Sequence, residues 1–393
     1  MSAGHEWPTV KLGDVLTPVR ESEFFPNPGA ERFVTVKLHG QGAVERGISA
    51  GKTPVAFTGF RIQAGQFIYS RIDARNGAFA IVPSELDGAV VSKDFPVFEI
   101  NERRCSPRYL EHFARTGRLT ANAKAFSQGA TNRQRIKEET LLRFKFPLPP
   151  LSEQRRIAGV LEHSSQQIKE TDLQLNSLAA LRSSITERAL DLRKHQMLQL
   201  NEIADIQSGV TKGRKLKNGE VMSEYPYMAV SNVKSGFLDL QTVKTIEVTN
   251  REAAKYELRP GDILLTEGGD PDKLGRGTIW RGEISKCLHQ NHIFRIRLPE
   301  NSPIPPDVLM SLISSRASRS YFLRSAKQTT GIASINKTQL SALPIPLLSA
   351  YEVIPLNRAL NAIDAVAGKL KLRHTLLQEL HASLAARAFS GQL

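Results

Sequence analysis

The sequence is poor in cysteine. Cys105 and Cys287 are its only two, too far apart for a local redox pair and too few for a disulfide framework or a zinc-ligand set. Both read as buried bystanders. No run approaches the roughly 18 apolar residues of a membrane span, and the opening, with His5 and Glu6 and no apolar stretch, lacks the form of a secretory signal. The expectation is a soluble, cytoplasmic protein. Catalytic signatures are missing too. There is no Asn-Pro-Pro-Tyr or Asp-Pro-Pro-Tyr run and no Gly-x-x-x-x-Gly-Lys-Ser/Thr loop, and Gly275-Arg276-Gly277 lacks the preceding strand and third glycine of a dinucleotide loop. Pro271-Asp272 with Glu283 and Lys286 approaches a nuclease motif, but the Glu-to-Lys spacing is off by one residue. No catalytic residue, metal ligand or cofactor is expected in this chain.

What is present is a repeat. Residues 145 to 161 form a proline-rich connector opening a long amphipathic helix, and a degraded copy recurs near residue 344. An offset of 199 aligns Ile157 with Leu356, Leu161 with Leu360, Leu178 with Leu377 and Ile185 with Leu384. Upstream, Ile62 to Ile68 resembles Leu258 to Leu264. The plan is a globular module followed by a rod, twice over. It predicts a mixed α+β protein whose domains are residues 1–149 and 196–346, with spacer helices over 150–195 and 347–393. The 393 residues suffice for two cores.

Net charge is +14 and its placement is informative. Eleven basic residues face three acidic ones between Arg103 and Lys145, and five face none between Ser311 and Ile345, so thirteen of the fourteen charges lie in two corresponding segments. A duplicated positive surface is the footprint expected for a polyanion, here double-stranded DNA. The competing reading is a coiled-coil scaffold for protein partners, its basic charge incidental.

Short strands are predicted at Phe33–Lys37, Gln66–Ser70, Ala78–Val82 and Val97–Ile100, then a helix from Pro107 to about Thr116. The second module repeats the order, with strands at Tyr227–Ser231, Ile263–Thr266, Gly277–Arg281 and His292–Leu298 and one helix from Pro306 toward Ser325. In the first rod, positions 157, 161, 164, 168, 171, 175, 178, 182, 185, 189 and 192 form a heptad seam broken by Ser164, Thr171 and Arg182. His374 and His381 interrupt the second seam; their seven-residue spacing suits seam polarity better than metal binding. Two rods whose seams need partners predict an antiparallel coiled coil with a pseudo-two-fold axis.

Pro147-Leu148-Pro149-Pro150-Leu151-Ser152-Glu153-Gln154-Arg155-Arg156-Ile157, the loop Ser208-Gly209-Val210-Thr211 and the tract Gly268 to Gly277 carry a family resemblance. Over essentially its whole length the chain resembles the specificity subunit of a type I restriction-modification system. The resemblance implies two target-recognition domains, each reading half of a bipartite asymmetric DNA sequence, and helices that act as a ruler and dock methyltransferase subunits through Leu151, Glu153, Gln154, Arg155, Ile157 and Leu161. S-adenosylmethionine and ATP would be used by methyltransferase and restriction or translocase partners. The second connector departs from the pattern, since Leu348-Ser349-Ala350-Tyr351-Glu352-Val353 keeps only the Glu.

Paired donors and acceptors read base edges, Arg or Lys suiting guanine and Asn or Gln adenine. Candidates are Arg71, Arg75 and Asn76 in the first module and Thr211, Lys212, Arg214, Lys215, Lys273 and Arg276 in the second; solvated turns are the plainer reading of each. Gln128, Thr131 and Arg133, and Lys327, Gln328 and Thr330, precede the rods and suit phosphate oxygens or helix caps. Gln290 and Asn291, flanked by His289 and His292, suit base contact or strand-edge hydrogen bonding.

Overall fold

The computed structural model describes residues 7–47, 55–126, 135–190, 195–211, 221–269, 274–329 and 332–393. The chain divides into two compact units, Met1–Asp172 with Leu372–Leu393, and Leu173–Lys371. Both are mixed α/β, and no helix among the described residues is long and apolar enough to cross a membrane.

The first unit is built on a four-stranded antiparallel sheet ordered Leu16–Pro18, Val97–Ile100, Phe67–Tyr69, Phe79–Ile81. Strand periodicity explains its place. Phe67 and Tyr69 enter one apolar cluster with Tyr109, Leu110 and Phe113 of helix Pro107–Arg115, while Ile68 enters the other with Val34, Val36 and Val91. That second cluster lies under a five-stranded sheet ordered Glu23–Phe25, Phe57–Arg61, Val90–Ser92, Phe33–Val36, Ala43–Arg46.

The second unit repeats the first sheet's order with Asp205–Ser208, Ile293–Arg297, Ile263–Thr266 and Gly277–Ile279. Ile263 and Leu265 face one cluster and Leu264 the other. Two expectations need correction. The predicted strand at Tyr227–Ser231 instead spans Met222–Met228, pairing with Lys244–Thr249; it stops where Asn232 Oδ1 accepts from Ala229 N at 2.9 Å and turns the chain. The helix predicted from Pro306 to Ser325 is two, Pro306–Ile313 and Arg316–Ser325, because the Ser315 hydroxyl caps the second by accepting from Ser318 N.

The long helices span Leu151–Ala189 and Ala350–Ala388. Every described seam position is buried or half-buried. The polar seam residues have partners within their unit: Ser164 Oγ lies 2.7 Å from His381 Nδ1 and Asp172 Oδ1 3.0 Å from His374 Nε2 in the first, and Arg182 Nε bonds Asp364 at 3.3 Å in the second. Each core is closed by both rods. Ile157, Leu161, Ala388 and Phe389 join the first; Val353, Leu356 and Leu360 join the second, with Ile185, Ala189 and Leu190 against it.

Candidate nucleic-acid interface

In the second unit four separate tracts meet on one hydrogen-bonded edge. Val210 N donates to His289 O at 2.8 Å and Asn291 N to Val210 O at 2.9 Å, joining the Ser208–Thr211 loop to residues 289–291. Glu267 N donates to His292 O at 3.0 Å, and the Glu267 carboxylate meets His292 Nδ1 at 2.6 Å. Ile335 N donates to Glu267 O at 2.9 Å, while Gly268–Gly269 pairs with Ile332–Ser334, which pairs with Lys327–Thr329. Thr266 N reaches Arg276 O at 2.9 Å.

On this edge Thr211 is exposed, and Asn291 and Arg276 are half-buried. Arg276 Nε is buried with no hydrogen-bond partner. Gln290 is partly committed, its side-chain oxygen accepting from Val230 N at 3.3 Å. Lys212, Arg214, Lys215, Lys273 and Thr330 lie outside the described residues, as do the side chains of Lys327 and Gln328.

The first unit has the counterpart. Ile136 N donates to Arg71 O at 3.0 Å, as Ile335 N does to Glu267 O, and Ser70 N donates to Ala78 O at 3.0 Å, as Thr266 N does to Arg276 O. Side-chain chemistry differs at these matched places. Arg71 is engaged by Glu138, which also holds Arg20 at 3.0 Å, so its guanidinium is tied to the scaffold rather than free for a base. Asn76 Nδ2 donates to Asp73 at 3.4 Å. Arg75 is half-buried and makes no side-chain hydrogen bond or ion pair among the described residues. Gln128, Thr131 and Arg133 lie outside the described residues.

Three of the six expected docking residues face inward. Gln154 is fully buried; its oxygen accepts from Ser106 N and its amide donates to Arg104 O and Pro149 O, each at 2.8 Å. Ile157 and Leu161 fill the first core. Leu151 is half-buried and Glu153 pairs with Arg156 at 2.7 Å. Arg155 alone of the six is exposed. At the second connector, the retained Glu352 caps its helix by accepting from Ser349 Oγ at 2.7 Å and N at 2.8 Å, with His195 at 2.9 Å; these bonds, the Ser349 hydroxyl's first, hold its carboxyl at about 2.

At the other end of the same strands lies a polar pair that the sequence reading did not single out. Arg297 holds the buried Asp262 in the second unit, and Gln66 bonds Glu99 in the first. The available signal was a polar residue directly after glycine in each matched run, Gly65-Gln66 and Gly261-Asp262.

Residues 4–177 match the family model described as Type I restriction modification DNA specificity domain. That match covers less than half of the chain. The chain is 23% identical over 306 residues to the Type I restriction enzyme EcoKI specificity subunit of Escherichia coli (strain K12), covering 72% of this chain and 65% of that one. With the StySPI specificity subunit of Salmonella potsdam, identity is 25% over 316 residues, covering 74% and 66%. The chain thus spans just under two thirds of the length of these relatives. The crystal structure of the type I restriction-modification S subunit from M. genitalium superposes with a TM-score of 0.59 at 13% identity, covering 99% of this chain and 98% of that one, a likeness of fold.

Proposed function

We propose that this chain is a type I restriction-modification specificity subunit that recognises a bipartite, asymmetric DNA sequence, residues 1–149 reading one half and 196–346 the other. The supporting observation is the duplicated scaffold: matched backbone bonds at Arg71 and Glu267 build equivalent edges in both modules, each followed by a basic segment and a long helix. Direct readout would use free side chains at these edges, Arg75 and Arg276 above all, with Thr211 and Asn291 beside them. The helices would form an antiparallel coiled coil that sets the half-site spacing. In support, partner numbers fall along one helix as they rise along the other, 164 with 381, 172 with 374 and 182 with 364. At about 1.5 Å per residue each rod is about 58 Å long.

The chain itself would be non-catalytic and cytoplasmic. Two methyltransferase subunits using S-adenosylmethionine, and a restriction subunit using ATP, would dock on it. A row of exposed leucines, Leu372, Leu376 and Leu380, spaced for one helix face, favours protein contact along the second rod. Mapping methylated adenines across the host genome with the gene intact and deleted tests the reading. Loss of one two-part motif on deletion supports it; identical maps count against it.

A further inference from the structure

In the second unit the Ser208–Thr211 loop is held against its neighbour with no room to spare. A methyl group on Gly209 would lie 1.9 Å from the His289 carbonyl oxygen, 2.5 Å from its carbon and 2.7 Å from its ring Cδ2. Two of the three obstacles are backbone, so no rotamer change relieves them. Val210 then bridges Gln290 in parallel register. His289 is wholly buried. Its Nδ1 donates to Tyr256 O at 3.1 Å, tying it to helix Asn250–Tyr256, while Met228 pairs with it on the other side. The result is a three-way lock among loop, helix and strand, whose outward end presents Thr211 next to Gln290 and Asn291.

We propose that Gly209 and His289 are the positioning residues of the second module's reading edge, fixing Thr211 against Gln290 and Asn291 so that discrimination of one half-site, and not the other, depends on their contact. This rests on the two-half-site reading above. The physical reason is that amide and hydroxyl readout is geometric: hydrogen bonds weaken steeply as donors and acceptors fall out of line. In the first unit, where the ladder pairs Thr17 with Glu99 as Asp205 pairs with Arg297, the position matching Gly209 is Glu21, so no glycine stands there.

The experiment maps methylated adenines in cells carrying the full chain with its natural partners, comparing wild type with Gly209→Ala. The expected result is a motif in which one half keeps its stringency while the other accepts single mismatches about tenfold more often, the scale of one lost base discrimination. A wild-type two-part motif with both halves unchanged, or equally relaxed, in the variant overturns the inference alone; a wild type with no two-part motif overturns the underlying reading with it. Should Gly209→Ala abolish methylation altogether, His289→Asn and His289→Leu decide. Asn can still donate to Tyr256 O and should keep both halves stringent. Leu should relax one half; equal behaviour of these two variants overturns the inference.

Discussion

The guanidinium of Arg297 grips the carboxylate of Asp262 through two bonds of 2.6 Å each, one from Nε and one from Nη2, and the Asp262 side chain is 1% exposed. At the matched position of the first module, Gln66 Nε2 donates to Glu99 at 2.6 Å. Both residues also accept from the backbone three positions earlier, Arg259 N at 2.7 Å and Gln63 N at 2.8 Å. One turn geometry has been kept while its cross-strand partner changed from cation to anion.

Asp262→Ala should therefore destabilise the second unit by about 3–5 kcal/mol, because it leaves a largely desolvated guanidinium unpaired. Urea unfolding followed by tryptophan fluorescence of Trp280, buried in that unit, checks it. A loss below about 1 kcal/mol would mean that the pair contributes little beyond its backbone bonds.

The fold was legible where spacing carried it. Heptad positions located both rods, and Val97–Ile100 and Ile263–Thr266 were placed to the residue. The outer sheets were less so, since strands such as Glu23–Phe25 and Phe57–Arg61 mix polar residues or glycine with their aromatics and show little alternation. The capping box Thr249-Asn250-Arg251-Glu252 opens helix Asn250–Tyr256, a signal carried by four adjacent residues. Within the candidate site, the loops and their convergence differ in kind. Their residue types are local facts, whereas the capture of Arg71 by Glu138, 67 positions on, is a tertiary fact. Gln154 resembled a surface residue because polar side chains usually are exposed, and only its three backbone partners explain its burial.

Gln154→Glu should cost about 2–4 kcal/mol, since a carboxylate would face the carbonyls of Arg104 and Pro149 that now receive the amide. Arg155→Ala, on the exposed face, should change stability by less than about 0.5 kcal/mol. Thermal melts of both variants separate structural loss from any loss of partner binding. Equal melting points would contradict the assignment.

Acid should weaken the first unit before its carboxylates titrate. Burial, then the charge of Arg115, pushes His112 down to about 4, although Glu162 at 3.5 Å opposes the shift, and His381 beside it is lowered by the same two causes. A folded value below the unfolded one, near 6.5, means that the neutral ring is the folded form. Its stabilisation is full above pH 6.5 and drains as pH falls toward 4, by up to about 3 kcal/mol. Urea midpoints at pH 7 and pH 5 should differ less in His112→Leu than in wild type; an equal pH dependence in the two would remove His112 as the cause.

DNA binding by the assembled complex should respond to Arg75→Ala and Arg276→Ala without loss of fold. Each is expected to flatten the dependence of log affinity on log salt by about 1 if it lies on a phosphate, or to cost about 1–3 kcal/mol at one base pair if it lies on a guanine. Arg71→Ala should lower stability instead, by stripping Glu138 of one of its two cations. Anisotropy titrations between about 50 and 200 mM salt distinguish these cases. Unchanged binding in both edge variants would argue for the protein-scaffold role.

The first unit's core is closed by Phe389, whose ring lies 5.3 Å from those of Tyr109 and Phe113, and by Ala388, whose carbonyl accepts from Trp7 Nε1 at 2.9 Å. On the ribosome, where domains ordinarily fold in the order they emerge, this module cannot finish before the whole of the second has been translated. The part made first is completed last. Until then Tyr109 and Phe113 present an uncovered aromatic face, and every nascent chain passes through that state on its way to the finished protein.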